Sequence, residues 1–176
     1  MKHTFAFSRR QHGAALVVSL LLLAVMTILA LSASQTTRLQ ERMAGNARDM
    51  DVAFQAGEAG VRNAEAWIDG QAAQPQTCSA APCTVFQAGI FPPDMATATD
   101  TWWTTNGQPY GTAAKEMSSA NADPIFVVEE AAFLKDDLTE GNGPPSGRVF
   151  YRTYAGAQGA TDSARVVVQT TFTKRF

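Results

Sequence analysis

Residues 14 to 33 read Ala14-Ala15-Leu16-Val17-Val18-Ser19-Leu20-Leu21-Leu22-Leu23-Ala24-Val25-Met26-Thr27-Ile28-Leu29-Ala30-Leu31-Ser32-Ala33, and no charge follows until Arg38. About twenty residues rising 1.5 Å each span roughly 30 Å, the thickness of a bilayer's hydrocarbon core. About eleven strongly apolar side chains favour insertion by on the order of 3–6 kcal/mol, which Ser19, Thr27 and Ser32 do not reverse. The stretch reads as a membrane helix.

Its two flanks set orientation and continuation. Lys2, Arg9 and Arg10 precede the run in a short leader, residues 1–13, so the positive-inside rule leaves the leader in the cytoplasm and carries the rest of the chain across. On the other side nothing breaks the helix, because no proline occurs before Pro75. Instead the pattern turns amphipathic. Met43, Ala47, Met50, Phe54, Gly57, Val61, Ala64 and Ile68 recur at spacings of three and four, with Arg38, Arg42, Arg48, Asp49, Glu58, Arg62 and Glu65 on other faces. This predicts one helix over residues 14–70, its stripe buried partly by the chain's own sheet and partly by other helices. Gly45, Gly57 and Gly60 each cost about 1 kcal/mol relative to alanine in a helix, which points to close packing. An ordinary secretory signal cut near Ala30 to Ala33 is the competing reading, and the unbroken helical pattern argues against it.

The remaining composition narrows the function classes. A chain of 176 residues allows about one ordinary domain beyond the apolar helix. The formal net charge of −2 lacks the basic excess that recruits nucleic acid, and no phosphate-binding glycine loop is present. The only histidines, His3 and His12, lie in the leader, so the mature chain has none for a catalytic relay or a zinc site. Cys78 and Cys83 are too few for a four-cysteine metal site and lack the C-x-x-C redox spacing. They read as a disulfide closing a small loop in an oxidising compartment. No catalytic residue, metal or cofactor is expected. A carboxylate-only periplasmic enzyme stays open because Asp and Glu are plentiful, but no acidic pair can be placed in a cleft from sequence.

The basic leader, Gly13 at the junction, the apolar start Ala14-Ala15-Leu16-Val17-Val18 and the long helix together resemble a prepilin signal. The following block, Gln40-Glu41-Arg42-Met43-Ala44-Gly45-Asn46-Ala47-Arg48-Asp49 with Ala53-Phe54-Gln55-Ala56-Gly57-Glu58-Ala59, resembles the N-terminal region of PilX-type minor pilins of type IV pili. The resemblance covers residues 9 to 68. It implies that prepilin peptidase cuts between Gly13 and Ala14 and methylates the amine of Ala14. The absence of a side chain on Gly13 suits close approach of a protease. Most pilins carry glutamate as the fifth mature residue, which pairs with a neighbour's terminal amine. Here that position is Val18. A carboxylate in a membrane is costly and is kept for a partner, so its loss suits a subunit with nothing ahead of it, at or near the pilus tip. The resemblance further implies partners in other minor pilins and the major pilin, and a possible large tip adhesin. It places the chain in the inner membrane with a periplasmic head before assembly and at the pilus tip afterwards. Twitching, adhesion and DNA uptake share that apparatus. Two alternatives are a type II secretion pseudopilin and a membrane-tethered binding module that captures ligand with Trp102, Trp103 or Tyr110.

The head, residues 71–176, opens with an aperiodic stretch from Gln71 to about Asp123 pinned by Cys78 and Cys83. Trp102, Trp103 and Tyr110 are expected to pack on the helix. Three runs rich in β-branched and aromatic residues, 125–130, 148–154 and 164–172, predict an antiparallel meander, hence an α+β pilin-like head. The acidic stretch 136–142 reads as a solvated turn lacking EF-hand ligand spacing, and Lys174-Arg175 as only a charged C-terminus.

Overall fold

A computed structural model describes residues 12–111, 115–136 and 146–176. Helix α1 runs from His12 to Asp69. It is followed by the short strand β1 (Val85–Gln87), a 3-10 turn (Met95–Thr97), helix α2 (Asp100–Asn106) and strand β2 (Gln108–Pro109). The long strands β3 (Ile125–Lys135), β4 (Gly147–Gln158) and β5 (Arg165–Arg175) complete the order. The chain divides between Gly45 and Asn46 into two units, the first containing the apolar part of α1 and the second the remainder of α1 with the sheet.

The three expected strands are present as the antiparallel set β3-β4-β5. The sheet is nevertheless mixed, with β1 pairing parallel to β3 at Val85↔Val128 to Gln87↔Glu130. β2 pairs antiparallel to β3 beside it, at Gln108↔Phe126 and Pro109↔Ile125. Both short strands come from the stretch that carries no sequence period. They form because β3 offers an edge with unsatisfied backbone groups, which two or three residues of any composition can cover.

β3 and β4 also outrun their sequence signals. β3 passes a bulge between Glu130 and Ala132, and β4 continues through Ala155-Gly156-Ala157-Gln158. Neither alanine nor glycine favours strands, so packing decides here. A Cβ on Gly156 would lie 2.9 Å from the Trp103 ring, and Ala155 and Ala157 are buried on the opposite face.

Alternation along β4 separates two cores. Val149, Tyr151, Thr153, Ala155 and Ala157 are buried towards α1, where Val61, Ala64 and Ile68 meet Val85, Phe126, Val128, Val149, Tyr151 and Ala155. On the other face Met95, Trp103 and Val127 form a cluster flanked by Phe91, Trp102 and Tyr154. Trp102 and Trp103 therefore pack on the sheet face opposite α1. This corrects the expectation that they pack on the helix. Edge-to-face contacts bind the cluster, Phe91 to Trp102 at 5.6 Å, Phe91 to Tyr154 at 5.7 Å and Trp102 to Trp103 at 5.4 Å between centroids.

The β1 margin of the sheet is closed covalently. Cys78 and Cys83 form a disulfide. The Cys78 amide donates to the Val85 carbonyl and its carbonyl accepts from the Gln87 amide, both at 3.1 Å, so Cys78 forms a bridge to Phe86. An edge held in a closed loop is a poor template for stray strands.

Candidate functional site

The residues that the prepilin resemblance singles out lie at the start of α1. Around Gly13 no atom comes within 4 Å of the position a Cβ would take, so nothing in the described chain requires glycine there. Ala14 is exposed and Val18 is 57% exposed. From Leu16 to Leu31 the large apolar side chains are all exposed, and α1 is by length and composition long and apolar enough to cross a membrane. Two hydroxyls within residues 14–33 bond back to the helix itself. Ser19 Oγ donates to the Leu16 carbonyl at 2.9 Å and Thr27 Oγ1 to that of Ala24 at 2.8 Å. Thr36 and Thr37 bond likewise to the carbonyls of Ser32 and Ala33, both at 3.1 Å. Hydroxyls folded back onto the helix backbone present no unpaired polar group to lipid.

The apolar stripe further along α1 splits in two. Gly57, Val61, Ala64 and Ile68 are buried against the sheet, whereas Met43, Ala47, Met50 and Phe54 are exposed. All eight share one helix face, but apolar intrachain cover begins only at Val52 and Ala53. The buried seam is completed by small residues the stripe did not include, Ala53, Ala56 and Gly60. A Cβ on Gly60 would come within 2.8 Å of Ala155 Cβ and 3.2 Å of Pro124 Cβ, and one on Gly57 within 2.7 Å of Val168 Cγ2. Close helix-to-sheet approach accounts for both glycines. Gly45 has open space around it.

Three side chains, Asp49, Glu65 and Lys174, tie α1 to the sheet and its loops, and none was visible as a sequence pattern. Asp49 accepts from the Thr161 amide at 3.1 Å and from the Thr161 hydroxyl, holding the β4–β5 connection. That hydroxyl bond holds the Asp49 carboxyl below the usual carboxylate range. Glu65 Oε1 accepts from Thr170 Oγ1 at 2.8 Å, and Thr170 shares a 2.6 Å bond with the buried Thr153 hydroxyl. Lys174 Nζ donates to the carbonyls of Ile68, Asp69 and Gln71 at the end of α1. Lys174 is therefore more than the charged C-terminus expected from sequence. Arg175 pairs at 2.7 Å with Asp136, which also stands 3.9 Å from Arg148. Asp136 is therefore an ion-pair partner; residues 137–142 of the acidic stretch lie outside the described residues.

Within the sheet, buried Glu129 accepts from Arg152 Nη1 at 3.1 Å and from the Gly89 amide at 2.6 Å. Gly89 adopts φ +82°, a backbone conformation that a side chain would strain. The pair fastens the loop after β1. On the outer face, Arg165 reaches both carboxylate oxygens of Asp100, which holds that carboxyl below its ordinary value.

Trp102, Trp103 and Tyr110 do not form one ligand-capturing patch. The two tryptophans belong to the outer-face cluster, while Tyr110 joins Phe54, Glu58 and Arg62 around an open groove of about 630 Å³ on α1. Glu58 and Arg62 pair across this helix face at 3.2 Å. Among the described residues no three acidic, cysteine or histidine side chains gather as a metal site would need.

Two family models match the chain end to end. "PilX N-terminal" matches residues 12–62 and "Type IV pilus assembly protein PilX C-term" residues 63–174. The second overlaps the last residues of the resemblance read from sequence, which ends at residue 68, and takes in all five strands except Arg175. No curated protein and no solved structure matches.

Proposed function

Since this chain belongs to the PilX family of type IV pilus assembly proteins and is a minor pilin, we propose that it primes pilus assembly from a position at or next to the tip. On this reading the chain is stored in the inner membrane with its head in the periplasm. Prepilin peptidase removes residues 1–13 and methylates Ala14. Other minor pilins and the major pilin then take up the apolar half of α1 as it leaves lipid. Exchanging lipid for equivalent helices keeps that surface out of water, and the energy for extraction comes from an assembly motor elsewhere. The exposed Met43, Ala47, Met50 and Phe54 extend the same contact beyond the membrane, on the part of α1 that the sheet leaves bare. A large tip adhesin is the partner on the other side.

One observation carries the tip placement. The fifth residue after Gly13 is Val18, exposed on α1 and unable to pair with a neighbour's terminal amine. A shaft subunit without that carboxylate would leave the amine ahead of it unpaired in an apolar core, at a cost of several kcal/mol. A subunit at the tip has no such amine to meet.

Intact mass and N-terminal sequencing, with and without a functional peptidase, test the processing. The expected species is a methylated chain starting at Ala14 that forms only with the peptidase. A start near Ser34, or an uncut Met1, discards filament entry. Immunogold labelling of sheared pili tests the position, with label expected at one end only. Label along the shaft of wild-type pili overturns the tip assignment.

A further inference from the structure

We infer that Arg38 and Arg42 form a binding site for the phosphate of an anionic phospholipid, in the leaflet that faces the head. The inference rests on the membrane storage described above and adds a ligand to it. Between Gly13 and Arg38 the helix carries 24 residues, Ala14 to Thr37, and no charge. Their rise is about 36 Å, against roughly 30 Å of hydrocarbon. With Ala14 at one hydrocarbon edge, the Arg38 Cα stands about 6 Å past the other edge, inside the headgroup layer. An average tilt of about 20° lowers it by only about 2 Å.

Arg42 follows one turn later on the same helix face. Side chains on a helix lean towards its N-terminus, so the Arg42 guanidinium reaches back to the depth of Arg38. Both arginines are exposed, and among the described residues neither has a hydrogen-bond or ion-pair partner. Glu41, between them in sequence, bonds to neither and leaves the segment with two cations to one anion. Guanidinium groups match phosphate oxygens in a two-pronged geometry, and the low dielectric beside the hydrocarbon strengthens that pairing. Free phosphate would meet the same two groups in open water on a convex helix, which favours the lipid as the source. Arg48 lies nearly two turns beyond Arg42 in sequence, out of reach of the layer. The two bonds would set the depth of the stored chain and would have to break as it leaves the bilayer.

The full chain in nanodiscs of equal parts phosphatidylcholine and phosphatidylglycerol provides the test, with native mass spectrometry counting the lipids that stay bound. Phosphatidylglycerol is expected in excess over the bulk ratio, by about fivefold per arginine. Arg38→Gln with Arg42→Gln should remove most of the excess, leaving only what Lys2, Arg9 and Arg10 of the leader hold at the opposite face, whereas Arg48→Gln, the loss of one cation farther along the helix, should leave it unchanged. A wild-type ratio equal to the bulk, or a double variant that keeps the whole excess, overturns the inference. Displacement of the lipid by inorganic phosphate overturns the lipid as the ligand. Alkaline carbonate extraction separates the two levels. A chain released by carbonate ends the membrane reading itself, whereas a retained chain without lipid preference ends only this one.

Discussion

The ammonium group of Lys174, near the end of β5, lies 3.0 Å from the carbonyl oxygen of Ile68 in the last turn of α1. It donates as well to the carbonyls of Asp69 and to Gln71, the latter at 2.7 Å, at the point where the helix ends. A cation among the orphan carbonyls of a helix C-terminus satisfies their hydrogen bonding and opposes the negative end of the helix dipole. The last strand thus closes the long helix. Lys174→Met should destabilise the head by about 1–2 kcal/mol while preserving the aliphatic stem. Chemical unfolding of the full chain in mild detergent, followed by tryptophan fluorescence, measures this, and an unchanged midpoint would show that solvent caps the helix equally well.

Gly57 and Gly60 separate two costs of crowding. Gly60→Ala puts a methyl group against Ala155 Cβ and Pro124, neither of which can rotate away, and should destabilise by about 1–3 kcal/mol. At Gly57→Ala the obstacle is one methyl of Val168, which another rotamer moves aside, and alanine returns about 1 kcal/mol of helix propensity. The second variant should fall within about 1 kcal/mol of wild type. Equal losses in thermal unfolding would refute the distinction.

Acid should loosen the head through Asp49 and Asp100. Both carboxyls titrate below their ordinary value of 3.8, Asp49 because of the Thr161 hydroxyl bond and Asp100 because of Arg165. Lowered folded values mean that the contribution is complete above about pH 4 and is lost as pH falls through the still lower folded values. Melting temperatures recorded from pH 6 downwards should drop below pH 4, and Asp49→Asn combined with Asp100→Asn should flatten that drop. An unaltered acid limb in the double variant would assign it to other carboxylates.

In alkali the group to follow is Tyr151. Burial first, and the Glu130 charge second, push its hydroxyl up to about 12. The raised value favours the folded state fully below the ordinary tyrosine value of 10, and the advantage disappears as pH rises through 12. Ultraviolet titration should show one of the three tyrosines ionising last, and Tyr151→Phe should abolish that step. The substitution should cost less than about 1 kcal/mol, because among the described residues the Tyr151 hydroxyl has no hydrogen-bond partner to strand.

Opening the disulfide should act locally. Replacing Cys78 and Cys83 by serine releases a loop whose closure is worth about 2 kcal/mol in chain entropy. Hydrogen exchange should quicken at Val85 to Gln87, where Cys78 extends the pairing, and stay slow in β4. Uniform acceleration would mean that the loop supports the whole sheet.

The parts legible in the sequence share a physical basis. The apolar run from Ala14 to Ala33, the helix to Asp69 and the strands β3, β4 and β5 each rest on a repeated local pattern, which one segment carries unaided. The block from Gln40 to Ala59 was enough to name the family. Where the pattern ran out, so did the reading. β1 and β2 are too short to show a period, and Ala155-Gly156-Ala157 has no strand preference of its own.

The sequence by itself determined that a long helix begins with a half long and apolar enough to span a membrane, and that a disulfide-bearing head follows. Those are properties of adjacent residues and of the solvent each segment requires. Tertiary structure alone decided which half of the stripe is covered, with Val61 and Ile68 under the sheet and Met43 and Phe54 outside it. It also sent Trp103 to the outer face and brought Lys174 to Ile68 across more than a hundred residues of chain. An apolar side chain states that it needs cover, but which surface covers it depends on how far a sheet formed elsewhere extends, and a charge finds its partner only once distant backbone has been brought to it.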